Sequence, residues 1–374
     1  MSTFALSLKD LNTNILFIKR ATGHTPGRAP HPALDALRIK VADGIATISF
    51  FDYETSVSVR MAATGDDTEL VIGFGDLVRA IKETGSKESA TFAIKGQAVT
   101  IASAGISVTV PLTIYAADVP SLPTLEGGTA LVVTGAEFAQ VAATTATAVG
   151  TDDTLPMLTG VKLESDGTVV QAAATDRFKL AVADVPSASV PPVFATLLPG
   201  RAIGAIGKRA AKDDVVSVTF EVAEQIGSAR IDTDDTTVIV RSLDCEFPKW
   251  RQLLPADDTL STSFEFDGQA LAKKMKALAV TAPKVRFTIS NNKVVANGYT
   301  HDSVEPVSSL EIDAGDIVCD APLTVQFATP YVAQILGAVP RGMKVRLNMR
   351  NAERPSLFTW PGNKVLLMPV RMAS

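Results

Sequence analysis

A chain of 374 residues, 46% of them hydrophobic, is long enough for two or three domains with substantial cores. A net charge of −5 excludes a protein that is basic in bulk and binds nucleic acid by overall charge, although local basic faces stay possible. Two widely separated cysteines, Cys245 and Cys319, exclude a disulfide framework and point to a reducing cytosol. Residues 1–10 lack the basic and apolar regions of a signal peptide, and no apolar run reaches membrane-spanning length, so a soluble cytoplasmic protein is expected. Aromatic residues are only 6%, whereas Val, Thr, Ala and Ile are frequent, a balance that favours sheets.

Taken in order, the chain writes one unit three times. Helical stretches are predicted at Leu8–Ala21, Gly135–Val149 and Asp267–Val280. Each precedes three alternating strands, in Leu37–Met61, Val161–Val185 and Val285–Leu310. Within these sets the first two strands meet at Asp43-Gly44, Asp166-Gly167 and Asn291-Asn292, which are good hairpin signals. A polar break then recurs at one interval, at Asp52, Asp176 and Thr300. Second helices are predicted at Gly75–Thr84, Pro199–Lys212 and Thr329–Val339, followed by strands in Ala90–Leu112, Val215–Leu243 and Met343–Leu367. Linkers rich in Pro, Gly or Asp at Leu122–Gly128 and Leu254–Ser261 divide the chain into domains at 1–125, 126–256 and 257–374. The fold class is α+β: repeated helix and antiparallel-sheet domains. Sheets joined end to end protect their edges, and closure predicts strands outside and helices inside a ring.

Catalytic and metal motifs are absent from this reading. Gly204–Arg209 resembles a phosphate loop until Ala202 and Arg209 are noted where Gly and Ser or Thr are required. Gly73-Phe-Gly75 lacks the third glycine of a dinucleotide fingerprint. His24, His31 and His301 show no metal-ligand spacing with the cysteines, so no metal, cofactor or enzymatic activity is expected. The acidic doublets Asp152-Asp153, Asp213-Asp214, Asp234-Asp235 and Asp257-Asp258 read as solvated turns.

Cations, by contrast, gather on predicted helices: Lys19, Arg20, Arg79, Lys82, Arg201, Lys208, Arg209, Lys212, Lys273, Lys274 and Lys276. A shared positive face would touch phosphates without reading sequence. Only Phe17 and Tyr331 offer rings on these helices, which favours duplex over single strands. The stretch Ala172–Leu180 reads as one wall of a binding surface, and Leu366–Met372 as its partner. A groove floored by Leu158, Leu180, Pro248, Leu253 and Met368 suits an extended peptide with a few apolar anchors.

The threefold unit, Ala174–Leu180 (A-T-D-R-F-K-L), Glu246–Trp250 (E-F-P-K-W) and Met368–Met372 (M-P-V-R-M) together resemble the bacterial DNA polymerase III β subunit, the β sliding clamp. Leu155–Gly160, Tyr115–Pro120 and Arg241–Asp244 support the likeness, which covers about Phe4 to Met372. The resemblance implies a head-to-tail homodimer that closes as a ring around duplex DNA. It also implies tethering of the polymerase III catalytic subunit, opening by an ATP-driven clamp loader, and partners carrying short Gln-Leu-x-Leu-Phe motifs. It assigns the partner groove to Leu158, Thr175, Leu180, Pro248, Leu253, Leu366, Met368, Pro369, Arg371 and Met372. The chain departs from the family at Arg177, Phe178 and Lys179, where Gly-His-Arg is usual. It departs again at Gln252, in place of a basic residue, and at Val370, in place of a gating Met. The loop Pro26-Gly27-Arg28 resembles the family's DNA-touching loop and adds Arg28 to the helix cations. The edge strand Ile106–Val110 is expected to meet the other subunit near Leu278–Val280. The alternative is an accessory or phage-type scaffold that recruits repair or replication proteins without enclosing DNA.

Overall fold

The first hairpin closes as its turn chemistry predicts. Asp43 and Gly44 both take positive φ (51° and 74°), so Ala42 faces Ile45 and the strands Ala36–Ala42 and Ile45–Phe51 pair antiparallel. In the second set Asp166 holds a four-residue turn between Gly160–Ser165 and Val170–Thr175, its carboxylate accepting Thr168 N (2.8 Å) and Val169 N (3.0 Å). In the third set Lys284–Ser290 pairs with Lys293–Tyr299. The computed structural model describes residues 1–372 apart from 86–87, 127, 188–189, 211–213, 222–226, 257–259, 291–292 and 301–302. Lys212, Asp213, Asp257, Asp258, the Asn291-Asn292 turn and His301 therefore lie outside the described residues.

Seven α-helices form among the described residues: α1 (Leu8–Thr22), α2 (Phe74–Thr84), α3 (Gly135–Ala146), the short α4 (Pro156–Thr159), α5 (Gly200–Arg209), α6 (Gly268–Thr281) and α7 (Thr329–Gly337). Their ends carry the expected caps. Ser7 accepts Asp10 N at the start of α1, and Gly23 (φ 76°) closes its end by donating to Lys19 O at 2.9 Å. Asp267 caps α6 through Ala270 N (2.7 Å). The expected helix over Gly135–Val149 stops earlier, at Ala146. There the hydroxyls of Thr145 and Thr147 turn back to the carbonyls of Val141 and Thr144, competing with helix continuation.

The chain divides into two compact units: Met1–Ala136 with Arg201–Ser242, and Glu137–Gly200 with Leu243–Ser374. In the first, one sheet runs Ile106–Pro111, Ala98–Ser103, Ser89–Lys95, Ser2–Ser7, Thr55–Gly65, Thr236–Arg241, Ser228–Asp232, Val215–Glu221, Thr129–Thr134. Its hinge-like joint is the pairing of Thr55–Gly65 with Thr236–Arg241, Thr55 facing Val240. The apolar faces of α1 (Leu8, Leu11, Ile18) and α2 (Phe74, Leu77, Ile81) are buried, and Phe4 stacks on Phe92 at 4.9 Å.

In the second unit a nine-stranded sheet contains the corresponding joint, Lys179–Asp184 against Asn363–Leu367, with Leu180 facing Leu366. A four-stranded sheet runs Ser308–Ile312, Lys293–Tyr299, Lys284–Ser290, Leu323–Ala328. Phe264, Phe287, Phe327 and Phe358 form a chain of rings 5.8–6.4 Å apart, fully buried at the centre of this unit.

Candidate functional site

The turn after Val170–Thr175 is built by its own polar side chains. Thr175 donates its hydroxyl to Lys179 O (2.7 Å), and Asp176 accepts Phe178 N (2.9 Å) and Lys179 N (2.7 Å). This places Arg177 at φ 77°, a left-handed conformation that costs an L residue energy. Arg177 and Phe178 are thrown outward, Phe178 with 53% of its surface exposed and its ring 6.3 Å from that of Tyr331 on α7. Lys179 turns inward instead. Its ammonium donates to Gln334 Oε1 (2.7 Å), pairs with Asp176 (3.2 Å) and lies 4.1 Å above the Tyr331 ring. Burial pulls the Lys179 pKa below the usual lysine value, and Asp176 opposes that shift.

Beside this turn lies an apolar bed of Leu180, Ala173, Val182, Leu197, Phe247, Trp250, Leu357 and Leu366. Leu158 is buried on α4, which packs against Val170–Thr175. Pro248 is half-buried, and the 3₁₀ turn Trp250–Leu253 presents Gln252 and Leu253, the latter 52% exposed. That turn is locked from below. Trp250 Nε1 donates to the buried Glu164 (3.1 Å), while Arg251 stacks on the Trp250 ring (4.4 Å) and bonds both Glu164 and Gln171. Burial opposes the charge on Glu164, but Lys162 and Arg251 outweigh it and hold the carboxyl below its ordinary value.

The C-terminal segment supplies the other side. After the strand Asn363–Leu367, Met368 N bonds Phe178 O (2.9 Å) and Val370 N bonds Gln326 O (2.7 Å), while Gln326 Nε2 donates to Arg371 O (3.1 Å). The tail thus leaves the sheet at Met368 and is strapped to the neighbouring strand Leu323–Ala328. Met368 and Met372 remain 41% and 39% exposed, Pro369 and Val370 are half-buried, and Arg371 is exposed. Buried Thr175, Leu180 and Leu366 sit beside exposed Phe178, Leu253, Met368 and Met372, the composition of an unfilled apolar groove. Sequence reasoning missed Gln326 and Gln334, which fix the tail and Lys179. A glutamine inside the alternating run Leu323–Ala328 was the available signal for the first.

The candidate DNA cations fall into several settings. In the first unit Arg20 on α1 and Lys208 and Arg209 on α5 line a cleft of about 500 Å³ with Arg60, Asp10, Asp235 and Phe17. Arg209 is committed: it pairs with Asp235 (2.7 Å), donates to Thr236 and lies over Phe17 (4.8 Å). Burial works against the Asp235 charge, but Thr236 and Arg209 keep its carboxyl below the usual range. Arg201 donates to Thr22 O at the end of α1 (3.4 Å), and Arg79 pairs with Asp76 (2.9 Å). Lys82 is exposed on α2. The loop bearing exposed Arg28 is clamped by Asp35, which bonds His24 (2.7 Å), Gly27 N (2.8 Å) and Gly75 N (3.1 Å). In the second unit Lys273, Lys274 and Lys276 are exposed on α6. Gly204–Arg209, the rejected phosphate-loop pattern, lies inside α5. Asp152 spends its carboxylate on Thr154, as a turn residue does. Among the described residues no helix is long and apolar enough to cross a membrane, and no group of His, Cys, Asp or Glu is placed to hold a metal.

The two sheet joints, each beside helices and hairpins of the same order, define the DNA clamp fold. A sliding clamp from Bacillus subtilis superposes with a TM-score of 0.80 at 17% identity, and the polymerase III β chain of Streptococcus pneumoniae with 0.79 at 18%, each covering the whole of both chains. Residues 132–249 match the family model of the DNA polymerase III beta subunit, central domain. The beta sliding clamp of Micrococcus luteus is 28% identical over 76% of this chain and 91% of its own. That of Streptomyces coelicolor is 24% identical over 93% and 94%. The chain belongs to the DNA polymerase III β subunit family, the β sliding clamps, as a divergent member.

Proposed function

We propose that this chain is a DNA sliding clamp that holds a replicative polymerase on duplex DNA by topology rather than by catalysis. The observation that carries the reading is the likeness to sliding clamps over the full length of the chain. It favours the tethering clamp over a non-enclosing scaffold. The working unit is a head-to-tail homodimer of three-domain subunits, divided at 1–125, 126–256 and 257–374, in the cytoplasm. Ile106–Pro111 is the last strand of its sheet, with Ile106 exposed, and supports pairing with the third domain of a second copy, where Val280 is exposed on α6.

A protein of net charge −5 with scattered exposed cations makes weak, sequence-blind phosphate contacts. Weak contacts permit sliding, and closure prevents escape. Arg20, Arg28, Lys82, Lys208, Lys273, Lys274 and Lys276 carry this task most freely; Arg79, Arg201 and Arg209 add charge from engaged positions. The polymerase III catalytic subunit and the clamp loader dock by short peptides in the groove of Leu158, Thr175, Leu180, Pro248, Leu253, Leu366, Met368 and the tail to Met372. Dimer loaded on closed circular DNA should stay bound and be lost when the circle is cut; equal loss from both forms refutes enclosure. Met368→Ala, or removal of Pro369–Ser374, should abolish peptide binding with the dimer intact, and an unchanged affinity refutes the placement of the groove.

A further inference from the structure

We propose that Arg177 makes the groove selective for an extended apolar peptide that carries a carboxylate beside the Thr175–Lys179 turn. The inference rests on the reading of the groove as a peptide site and adds the chemistry of its occupant.

Two cations that contribute to this surface are already satisfied. Lys179 is held by Asp176 and Gln334, and Arg251 by Glu164 and Gln171. Arg177 differs. Among the described residues its guanidinium has no ion pair and no hydrogen bond, and it stands exposed next to Phe178. The acids around it are spoken for. Asp176 faces Lys179 and the backbone of its own turn. Asp152 is near enough for Arg177 to lower its pKa, but its bonded oxygen is taken by the amide and hydroxyl of Thr154. Glu246 is exposed ahead of the 3₁₀ turn and has no ion pair to Arg177. The backbone positions Arg177 firmly, because Asp176 and Thr175 fix the turn and set its φ at 77°. A guanidinium offers a planar fork matched to a carboxylate, and here the fork is free. Turn side chains of the groove thus present one unfilled charge next to an apolar bed. An amphipathic peptide with one acid among its apolar anchors satisfies both, whereas a wholly apolar peptide leaves the cation unpaired.

The test uses the full-length protein and a Gln-Leu-x-Leu-Phe peptide with flanking residues. A single Asp is walked through its variable positions, each peptide compared with its Asn counterpart by titration calorimetry at low and high salt. At one position Asp should bind about tenfold tighter than Asn. The preference should shrink with salt, vanish in Arg177→Ala and in Arg177→Gly, and persist in Arg177→Lys. Asp152→Asn, which removes a nearby competing charge, should enlarge it. The Gly variant guards against misfolding, since its residue suits the observed φ. If peptides bind, and Met368→Ala weakens them, yet Asp and Asn are equivalent at every position, the proposal is overturned while the groove stands. A preference that survives in Arg177→Ala overturns it as well. If no peptide binds, or Met368→Ala leaves binding unchanged, the groove reading itself fails and takes the proposal with it.

Discussion

Arg177→Gly should stabilise the protein while removing a residue from its candidate site. The left-handed conformation at φ 77° costs an L residue roughly 1–2 kcal/mol, a penalty glycine avoids. Glycine gives back roughly 0.5–1 kcal/mol through the greater freedom of its unfolded chain. The exposed Arg177 side chain has no partner to lose, so the net expectation is a gain of about 0.5–1 kcal/mol. In a unit of this size that raises the melting temperature by about 1–4 °C. Tyr53 is the internal control. It holds φ 73° in the matching turn of the first unit, but its ring packs on Phe51 at 5.3 Å. Losing a ring pair costs about 0.5–1.5 kcal/mol, so Tyr53→Gly should come out near zero. Scanning calorimetry of both variants against the parent decides the matter. A lower melting temperature for Arg177→Gly, or equal gains for both, would show that strain at φ is not the operative term.

Asp166 has its carboxyl pulled down to about 2, chiefly by the hydroxyl and amide of Thr168 and the amide of Val169. The folded value lies below the unfolded one, so its contribution is present above the ordinary value of 3.8 and lost as pH falls from there toward 2. An NMR titration midpoint near 3.8 would contradict the turn geometry. Gly65 sits at φ 109° where the strand Thr55–Gly65 meets Ser2–Ser7, and a Cβ there would meet Thr3 O and stand 2.7 Å from Phe4 Cα. Gly65→Ala should cost about 3 kcal/mol or more by urea unfolding; a loss under ~1 kcal/mol would mean that the edge yields. Lys179→Ala removes a buried cation and leaves Gln334 Oε1 and one Asp176 oxygen short of a donor. A loss of about 3 kcal/mol is expected in the same assay, and a neutral result would mean that water replaces the ammonium.

Local chemistry made much of this fold legible. The helix expected from Asp267 forms over Gly268–Thr281 because Asp267 is its N-cap, and Asp43-Gly44 closes its hairpin because both residues accept positive φ. What sequence periodicity does not encode is which edges meet. Nothing in Thr236–Arg241 alone says that it pairs with Thr55–Gly65, since alternation specifies a face and not a partner. The same limit applies to the site. Leu158, Leu180 and Leu366 were readable as apolar positions. The burial of Lys179 under Tyr331 was not, because its partner Gln334 is on a helix far along the chain. A lysine beside Phe and Arg in a turn reads as solvated until α7 is in place.

The two joints show where the groove comes from. In the first unit Asp52 accepts Glu54 N and Thr55 N, Tyr53 takes φ 73°, and Arg241 N bonds Glu54 O at 3.0 Å. In the second, Asp176 accepts Phe178 N and Lys179 N, Arg177 takes φ 77°, and Met368 N bonds Phe178 O at 2.9 Å. The backbone device is the same, so the frame alone does not make a docking site. The difference begins one step later. Ser242 N turns to Gly227 O, whereas Val370 N reaches Gln326 O on another strand and leaves Met368 and Met372 exposed along the way. The groove is therefore a property of how the tail departs from a repeated joint. Cutting the tie with Gln326→Leu should loosen the tail and weaken peptide binding even though the turn at Asp176 is untouched. Full affinity in that variant would mean that the turn residues suffice without the tail.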